Sequence, residues 1–178
     1  MGFGPSAVCD IRLNTSLTPE QREKYQNSAK IRDLLGSAKT IAVVGLSAEK
    51  TKASNMVASY LQDEGYRIIP VNPRATEILG EKCFKDLKSV DVPIDIVDVF
   101  RPASEVSAIV DDAIAIGARS VWMQLRIIDL PSADRAIAAG LTAIVDKCVK
   151  MEHGRYCGAL HWAGMNTEVI TAQRRKSR

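Results

Sequence analysis

The sequence lacks several features that would assign the protein to a broad class. No apolar run approaches the roughly 20 residues that a membrane-spanning helix needs. The first residues show no basic start followed by an apolar stretch, so we predict no signal peptide. The four cysteines, at positions 9, 83, 148 and 157, have no disulfide-framework spacing. We therefore expect reduced thiols in a cytoplasmic protein that does not act at a membrane.

Two common nucleotide-binding motifs are also absent. The fingerprint G-x-G-x-x-G is reduced to Gly45, and Asn72 stands where a dinucleotide-binding protein has an acid for the ribose diol. The Walker pattern G-x-x-x-x-G-K-[ST] does not occur. These absences speak against a dinucleotide dehydrogenase. The formal net charge of +3 is too small to indicate a nucleic-acid partner.

The sequence does contain a regular alternation of apolar strands and amphipathic helices. Three times a helix ends in glycine and a strand begins two or three residues later, at Gly65, Gly117 and Gly140. Short connections of this kind imply parallel strands joined by right-handed crossovers. We predict an α/β, Rossmann-like, three-layer fold whose five-stranded parallel sheet uses residues 40–44, 67–71, 95–100, 120–125 and 142–145.

The two ends of the chain are predicted to lie outside this domain. One helix is predicted from the cap Thr18, with Gln21 completing a capping box, as far as Gly36. The chain after Asp146 is rich in glycine, and we predict an irregular tail. The predicted organisation is an N-terminal arm and helical extension, a Rossmann-like domain and a C-terminal extension, over residues 1–37, 38–150 and 151–178.

The first predicted strand and the helix after it form the most informative unit. Residues 40–44 end at Gly45, a polar loop with two lysines follows, and Ser54 is the predicted helix cap. A helix start offers free N–H groups and a positive dipole end to a phosphate. Lys50, Lys52 and Arg74 follow strand ends and could contact a pyrophosphate and a ribose phosphate. For any single one of them, a solvated surface position is the alternative.

Six motifs then occur in a characteristic order. They are V-V-G-L-S (43–47), G-Y-R-I-I-P-V-N-P (65–73), L-G-E-K-C-F (79–84), D-I-V-D-V-F-R (95–101), A-I-A-I-G-A-R-S-V-W-M-Q-L (113–125) and A-G-L-T-A-I-V-D-K-C (139–148). Over roughly residues 38–152 the chain resembles the small stand-alone CoA-binding proteins. That family is similar to the CoA-binding domain of the succinyl-CoA synthetase α subunit. The resemblance implies a Rossmann-like domain that binds coenzyme A.

The resemblance also implies which residues contact the cofactor. The phosphates would lie against the first loop, the adenosine against the second, and the pantetheine near the fourth strand. The implied residues are Gly45, Leu46, Ser47, Lys50, Lys52, Ser54 and Asn55 in the first loop and helix, Asn72, Pro73 and Arg74 in the second loop, Phe100 and Arg101 in the third, and Met123 and Gln124 in the fourth.

The chain departs from the family pattern at three places. It has Lys52-Ala53-Ser54 where the family often has Arg-Pro-Ser, and a lysine lacks the bidentate geometry of arginine. It has Arg126 where the family commonly has glycine, and Val149 where proline usually follows the cysteine.

The leading hypothesis is a non-catalytic CoA-binding protein that acts as a sensor, a carrier or a partner of a CoA enzyme. Two further hypotheses remain. One is an enzyme or enzyme subunit acting on an acyl-CoA or nucleotide, although we find no nucleophile and base pair. The other is a metal-binding regulatory protein that uses the residues Cys148, His153, Cys157 and His161. A homo-oligomer is possible.

Overall fold

The computed structural model describes residues 16–158, which form a parallel sheet with helices on both faces. The five strands of the sheet are β1 (Thr40–Val44), β2 (Arg67–Val71), β5 (Ile96–Val99), β6 (Ser120–Met123) and β7 (Thr142–Ile144). A small antiparallel hairpin, β3 (Glu77–Ile78) with β4 (Glu81–Lys82), and a short 3₁₀ helix at Leu87–Ser89 separate β2 from β5. The six helices are α1 (Pro19–Tyr25), α2 (Ser28–Ser37), α3 (Ala53–Asp63), α4 (Ala103–Ala115), α5 (Leu130–Ala138) and α6 (Val149–Tyr156).

The strand order β2-β1-β5-β6-β7 confirms the Rossmann-like prediction. All four pairings in this sheet are parallel, and the order reverses direction between β1 and β5. A cleft for ligands opens at such a reversal, outside the carboxyl ends of the strands. Pro70 lies in the edge strand β2, as its missing N–H requires.

The hydrophobic core has two parts, one on each face of the sheet. Helices α4 and α5 pack on one face, where Val97 and Val121 are fully buried. Helices α2, α3 and α6 pack on the other face, around Ile96 and Trp122. The alternation follows from the strand period of two, because neighbouring residues point to opposite faces.

The helical region before β1 differs from the prediction of one helix. The capping box of Thr18 and Gln21 is present, but the first helix ends at Tyr25. The Asn27 side chain then accepts a hydrogen bond from the Lys30 N–H (3.1 Å) and starts α2, which continues past Gly36 to Ser37. The sequence signal for this break is Asn27, since asparagine is among the strongest N-cap residues.

Two other local predictions were wrong. Lys52, not Ser54, is the N-cap of α3, and Ser54 lies buried inside the helix. The chain after Asp146 is not irregular over Val149–Tyr156, which form α6. Gly154 disfavours that helix by about 1 kcal/mol, but the burial of Val149 and His153 against the sheet and α3 offsets this penalty. The rest of the predicted tail, from residue 159, lies outside the described residues.

Candidate functional site

A pocket of about 420 Å³ opens at the carboxyl ends of the central strands. Its walls come from the start of α3 and from the segments that follow β5, β6 and β7. The lining residues are Ala53, Val57, Phe100, Arg101, Pro102, Gln124, Leu125, Arg126, Ile127 and Cys148. The pocket therefore lies beside the reversal of strand order, where the topology predicts a ligand site.

Three helices begin at this pocket, and none has an N-cap residue with a side-chain oxygen. The N-cap residues are Lys52 for α3, Pro102 for α4 and Cys148 for α6, and no side-chain oxygen caps any of these helices. At α6, the Cys148 thiol faces the N–H groups of Lys150 and Met151. By contrast, α1, α2 and α5 are capped by the side chains of Thr18, Asn27 and Asp129. Helix starts without an oxygen cap present N–H groups and positive dipole ends to the pocket, which suits an anionic ligand.

The loop between β1 and α3 is fixed by its own hydrogen bonds. The Ser47 N–H donates to Ser54 Oγ (3.1 Å), and the Asn55 side-chain amide donates to the Ser47 carbonyl (2.8 Å). The Asn72 amide reaches across from the end of β2 to the Leu46 carbonyl (2.8 Å). These contacts give Ser54, Asn55 and Asn72 a role in shaping the loop before any ligand enters.

Gly45 is required by the close approach of two chain segments. Its φ of +87° lies in the left-handed region, which glycine adopts without a side-chain clash. A Cβ atom at this position would lie 2.8 Å from the Phe100 carbonyl oxygen and 2.7 Å from Arg101 Cδ. The turn after β1 therefore packs directly on the turn after β5, which closes the base of the cleft.

A buried carboxyl group lies behind the pocket wall. Asp98, in the middle of β5, is fully buried, and its Oδ1 accepts a hydrogen bond from the Gln124 amide (2.7 Å). Its Oδ2 has no hydrogen-bond partner among residues 16–158. Burial raises the pKa of Asp98 to about 7, and the Gln124 hydrogen bond opposes the shift. Because the Gln124 N–H₂ group faces Asp98, its carbonyl oxygen is oriented away from that carboxyl and can accept a hydrogen bond.

The pocket thiol is not activated for nucleophilic attack. Burial is the largest effect on the Cys148 thiol, and it raises the pKa. The backbone N–H groups of Met151 and Lys150 lower the pKa, whereas the nearby charges of Asp98 and Glu152 raise it further. A thiol with a raised pKa is mostly protonated near neutral pH and reacts slowly.

The predicted cations occupy different environments. Lys50 and Arg74 are exposed and have no ion-pair partner among residues 16–158. Lys52 is also exposed and lies 3.7 Å from the Glu49 carboxylate. The Arg101 guanidinium donates two hydrogen bonds to Glu105, at 2.8 and 2.7 Å.

The structure brings only part of the predicted residue set to the pocket wall. Phe100, Arg101 and Gln124 line the pocket, while the Met123 side chain is fully buried on the opposite face of the sheet. Leu46 is also fully buried, so only its backbone is available, and Pro73 is exposed beyond β2. The remaining predicted residues surround the β1–α3 loop: Gly45, Ser47, Lys50, Lys52, Ser54, Asn55, Asn72 and Arg74.

The apolar wall and the buried acid were not predicted from the sequence. Ala53, Val57, Leu125 and Ile127 look like ordinary helix and loop residues in the sequence. Asp98 had a usable signal, because an acid inside the apolar strand I-V-D-V is unusual unless it has a partner or a function.

The hypothesis of a metal site gains no support from the described residues. No group of three or more metal-ligating side chains occurs within residues 16–158, and His161 lies outside them. His153 instead forms a 3.0 Å hydrogen bond through Nδ1 with the Tyr60 hydroxyl. No helix in the same part of the chain is long and apolar enough to cross a bilayer.

Comparison with known proteins identifies the family. The sequence model of the CoA binding domain matches residues 39–154. The chain belongs to the CoA-binding domain family. YneT, an uncharacterized protein of Bacillus subtilis, is 39% identical to this family member over 127 residues, which are 71% of this chain and 94% of YneT.

Further relatives include a large enzyme and a small solved structure. The ADP-forming acetate–CoA ligase of Methanocaldococcus jannaschii is 30% identical over 74 residues, which are 42% of this CoA-binding family member and 10% of the ligase. A hypothetical protein from Pyrococcus horikoshii is 34% identical with a TM-score of 0.72, covering 74% of this chain and 93% of that one. Related sequences thus occur both as small separate proteins and as part of a ligase.

Proposed function

We propose that the protein binds coenzyme A or an acyl-CoA in the cleft at the carboxyl ends of β1, β2, β5 and β6, without catalysing a reaction by itself. The observation that supports this most directly is the convergence of the starts of α3, α4 and α6 on one pocket, because their N-cap residues supply no side-chain oxygen. Membership of the CoA-binding domain family points to the same ligand.

The phosphates of CoA match the electrostatics of the β1–α3 side of the cleft. The start of α3 offers free N–H groups, and Lys50 and Arg74 add charges that no acid among residues 16–158 neutralises. CoA has three phosphate groups, so it gains more from these cations than a ligand with fewer charges would.

The pantetheine arm matches the other side of the cleft. This arm is mostly apolar, with two amide groups, and the pocket there combines Val57, Leu125 and Ile127 with the carbonyl oxygen of Gln124. Because Asp98 orients the Gln124 amide, that oxygen can accept a hydrogen bond from a pantetheine N–H.

A role in binding rather than catalysis fits the titratable groups of the pocket. The Cys148 pKa is raised, and Asp98 lies behind Gln124 rather than at the pocket surface. We therefore propose a sensor, a carrier or a partner of a CoA enzyme.

Calorimetric titration with CoA, dephospho-CoA, NAD and ATP tests the proposal. We expect saturable binding of CoA that weakens with dephospho-CoA, because the ribose phosphate is then missing. Lys50→Ala should weaken CoA binding several-fold, and the control Lys39→Ala, at the amino end of β1, should leave it unchanged. Absence of CoA binding, or tighter binding of NAD or ATP, would contradict the proposal.

A further inference from the structure

The residue Arg126 combines an unusual backbone conformation with a position in the pocket wall. It lies between β6 and α5 and has a φ of +63°, in the left-handed region. Its N–H donates a 2.7 Å hydrogen bond to Asp146 Oδ1, and Asp146 itself has a φ of +57°. Non-glycine residues seldom adopt this conformation, and where they do, surrounding contacts hold them there. The β6–α5 connection is thus fixed at one place beside the pocket.

The charge of Arg126 is available to a ligand, unlike that of its neighbours. Arg101 is paired with Glu105, and the Lys147 ammonium lies 3.4 Å from the Glu152 carboxylate. Arg126 is exposed, and its guanidinium has no hydrogen bond or ion pair within residues 16–158. Guanidinium is the side-chain group best suited to bidentate recognition of a carboxylate or a phosphate.

The sheet places Arg126 on the opposite side of the cleft from Lys50 and Arg74, which follow β1 and β2 and do not line the pocket. Neighbouring strands lie about 4.8 Å apart, so the end of β6 is about 10 Å from the end of β1 and about 14 Å from the end of β2. If the CoA phosphates lie against α3, Lys50 and Arg74, the pantetheine arm runs across β5 towards β6. Arg126 then lies near the thiol end of the cofactor, where an acyl group would be attached.

We propose that Arg126 recognises a carboxylate on the acyl group, so that the protein prefers acyl-CoA thioesters of dicarboxylic acids to free CoA or simple acyl-CoA. This inference rests on the proposed function, since it assumes that CoA binds in this cleft. It adds a substrate class, because a guanidinium at the acyl end distinguishes an anionic acyl group from an apolar one of the same length.

Two stable thioethers of equal length test this preference without hydrolysis of a thioester. S-Carboxyethyl-CoA and S-propyl-CoA differ only in a terminal carboxylate or methyl group. Calorimetry of the full chain should show that S-carboxyethyl-CoA binds roughly tenfold more tightly than S-propyl-CoA, the size expected for one charge-assisted contact. Equal affinities for the two thioethers would overturn the proposal.

Variants of Arg126 distinguish an acyl contact from a phosphate contact. Arg126→Asn removes the charge and still tolerates the left-handed conformation, and Arg126→Gly does so without strain. Both should remove the preference for the carboxylate, so that S-carboxyethyl-CoA and S-propyl-CoA bind with equal affinity. Equal weakening of all three ligands would place Arg126 at a phosphate and overturn the inference. The control Arg67→Asn, at the amino end of β2, should change nothing.

Failure of the inference differs visibly from failure of the proposed function. A wild-type protein that binds CoA and S-propyl-CoA but shows no preference for the carboxylate retains the proposed function and refutes the role of Arg126. A wild-type protein that binds none of the three ligands refutes both.

Discussion

The face of the sheet beneath α4 and α5 buries almost only apolar side chains, whereas the face beneath α2, α3 and α6 also buries acids, amides and a histidine. On the first face, Val97, Val110 and Val121 are completely buried among other apolar groups. On the second, Asp98 and His153 lie within the packed layer. Buried polar groups cost stability unless they are paired. The face beneath α4 and α5, the apolar face, therefore stabilises the fold. The face beneath α2, α3 and α6, the polar face, also shapes the candidate site.

The strongest test of this contrast is a cavity on the apolar face. Ile94 is buried there, before β5 and far from the pocket. Ile94→Ala should lower the free energy of unfolding by about 2–5 kcal/mol, and Ile94→Val by about 0.5–1.5 kcal/mol. Urea denaturation measures both. Ligand affinity of the folded protein should not change, and a loss of affinity in the Ile94→Val variant would show that the two faces are not separable.

A second test compares two glycines that share a positive φ but differ in their surroundings. At Gly117, with a φ of +68°, a Cβ atom would have no neighbour within 4 Å, whereas at Gly45 it would meet the Phe100 oxygen at 2.8 Å. Gly117→Ala should cost about 1–2 kcal/mol, the ordinary penalty of the left-handed conformation. Gly45→Ala should cost more in thermal unfolding and should also weaken CoA binding. Equal losses for the two variants would refute the importance of the close approach.

A third test uses the pH dependence of the polar face. The pKa of Asp98 in the folded protein is about 7, above its ordinary value of 3.8. Between these two pH values, Asp98 is protonated in the folded protein and ionised in the unfolded protein. Stability due to this group is present below about pH 4 and is lost as the pH rises towards 7. The wild type should lose up to about 1.4 kcal/mol per pH unit relative to Asp98→Asn.

Asp95 directly precedes β5, the strand that contains Asp98, and its effect on the pH dependence of stability has the opposite sign. Burial raises its pKa, but hydrogen bonds from the Lys39 and Thr40 N–H groups dominate and lower it to about 2. The stability that Asp95 contributes is therefore present above about pH 4 and is lost as the pH falls towards 2. Denaturation curves at several pH values measure the free energy of unfolding of each variant relative to the wild type. The wild type should lose stability relative to Asp98→Asn as the pH rises from about 4 to 7, and relative to Asp95→Asn as the pH falls from about 4 to 2. Changes of the same sign with pH would contradict the assignment.

The smallest effect is expected at His153, which attaches α6 to α3 on the polar face. Burial lowers the pKa of His153 below its ordinary value of 6.5, and only the charge of Glu64 opposes the shift. As the pH falls, His153 is protonated near pH 6.5 in the unfolded protein but only at a lower pH in the folded protein. Stability is therefore lost as the pH falls below 6.5. His153→Phe should abolish this part of the acid dependence in melting curves recorded on either side of the ordinary histidine pKa. An unchanged dependence would assign it to another group.

The sheet was predictable because each strand has a strong local signal. The β-branched run Thr40–Val44 and the glycines at 65, 117 and 140 mark strand starts and helix ends, and all five strands form where expected. Helix α6 was missed because the helix-propensity penalty of Gly154 is visible in the local sequence, whereas the compensating burial is not. That burial comes from contacts of His153 with Tyr60 and Tyr66, which are distant in the chain.

The candidate site was less predictable because its walls are assembled from four separate segments. Local sequence identified Phe100, Arg101 and Gln124 through the ends of strands, but the apolar wall from Val57 to Ile127 depends on how α3 faces the β6–α5 connection. The orientation of Gln124 likewise depends on Asp98, 26 residues earlier in the chain. The roles proposed for the remaining predicted site residues stay predictions until binding is measured.

The segment around Phe84 has a consequence for the behaviour of the protein in concentrated solution. The Phe84 N–H donates to the Pro70 carbonyl (2.8 Å) and the Phe84 carbonyl accepts from the Asn72 N–H (2.8 Å), so the outer side of β2 is already occupied at its carboxyl end. At the opposite edge, the Tyr25 carbonyl accepts a hydrogen bond from the Val145 N–H just beyond β7. Exposed sheet edges are where chains pair and aggregate. Covering the carboxyl end of β2 in this way shortens the longer of the two edge strands as a template for pairing, and the other edge strand of the described sheet, β7, has only three residues.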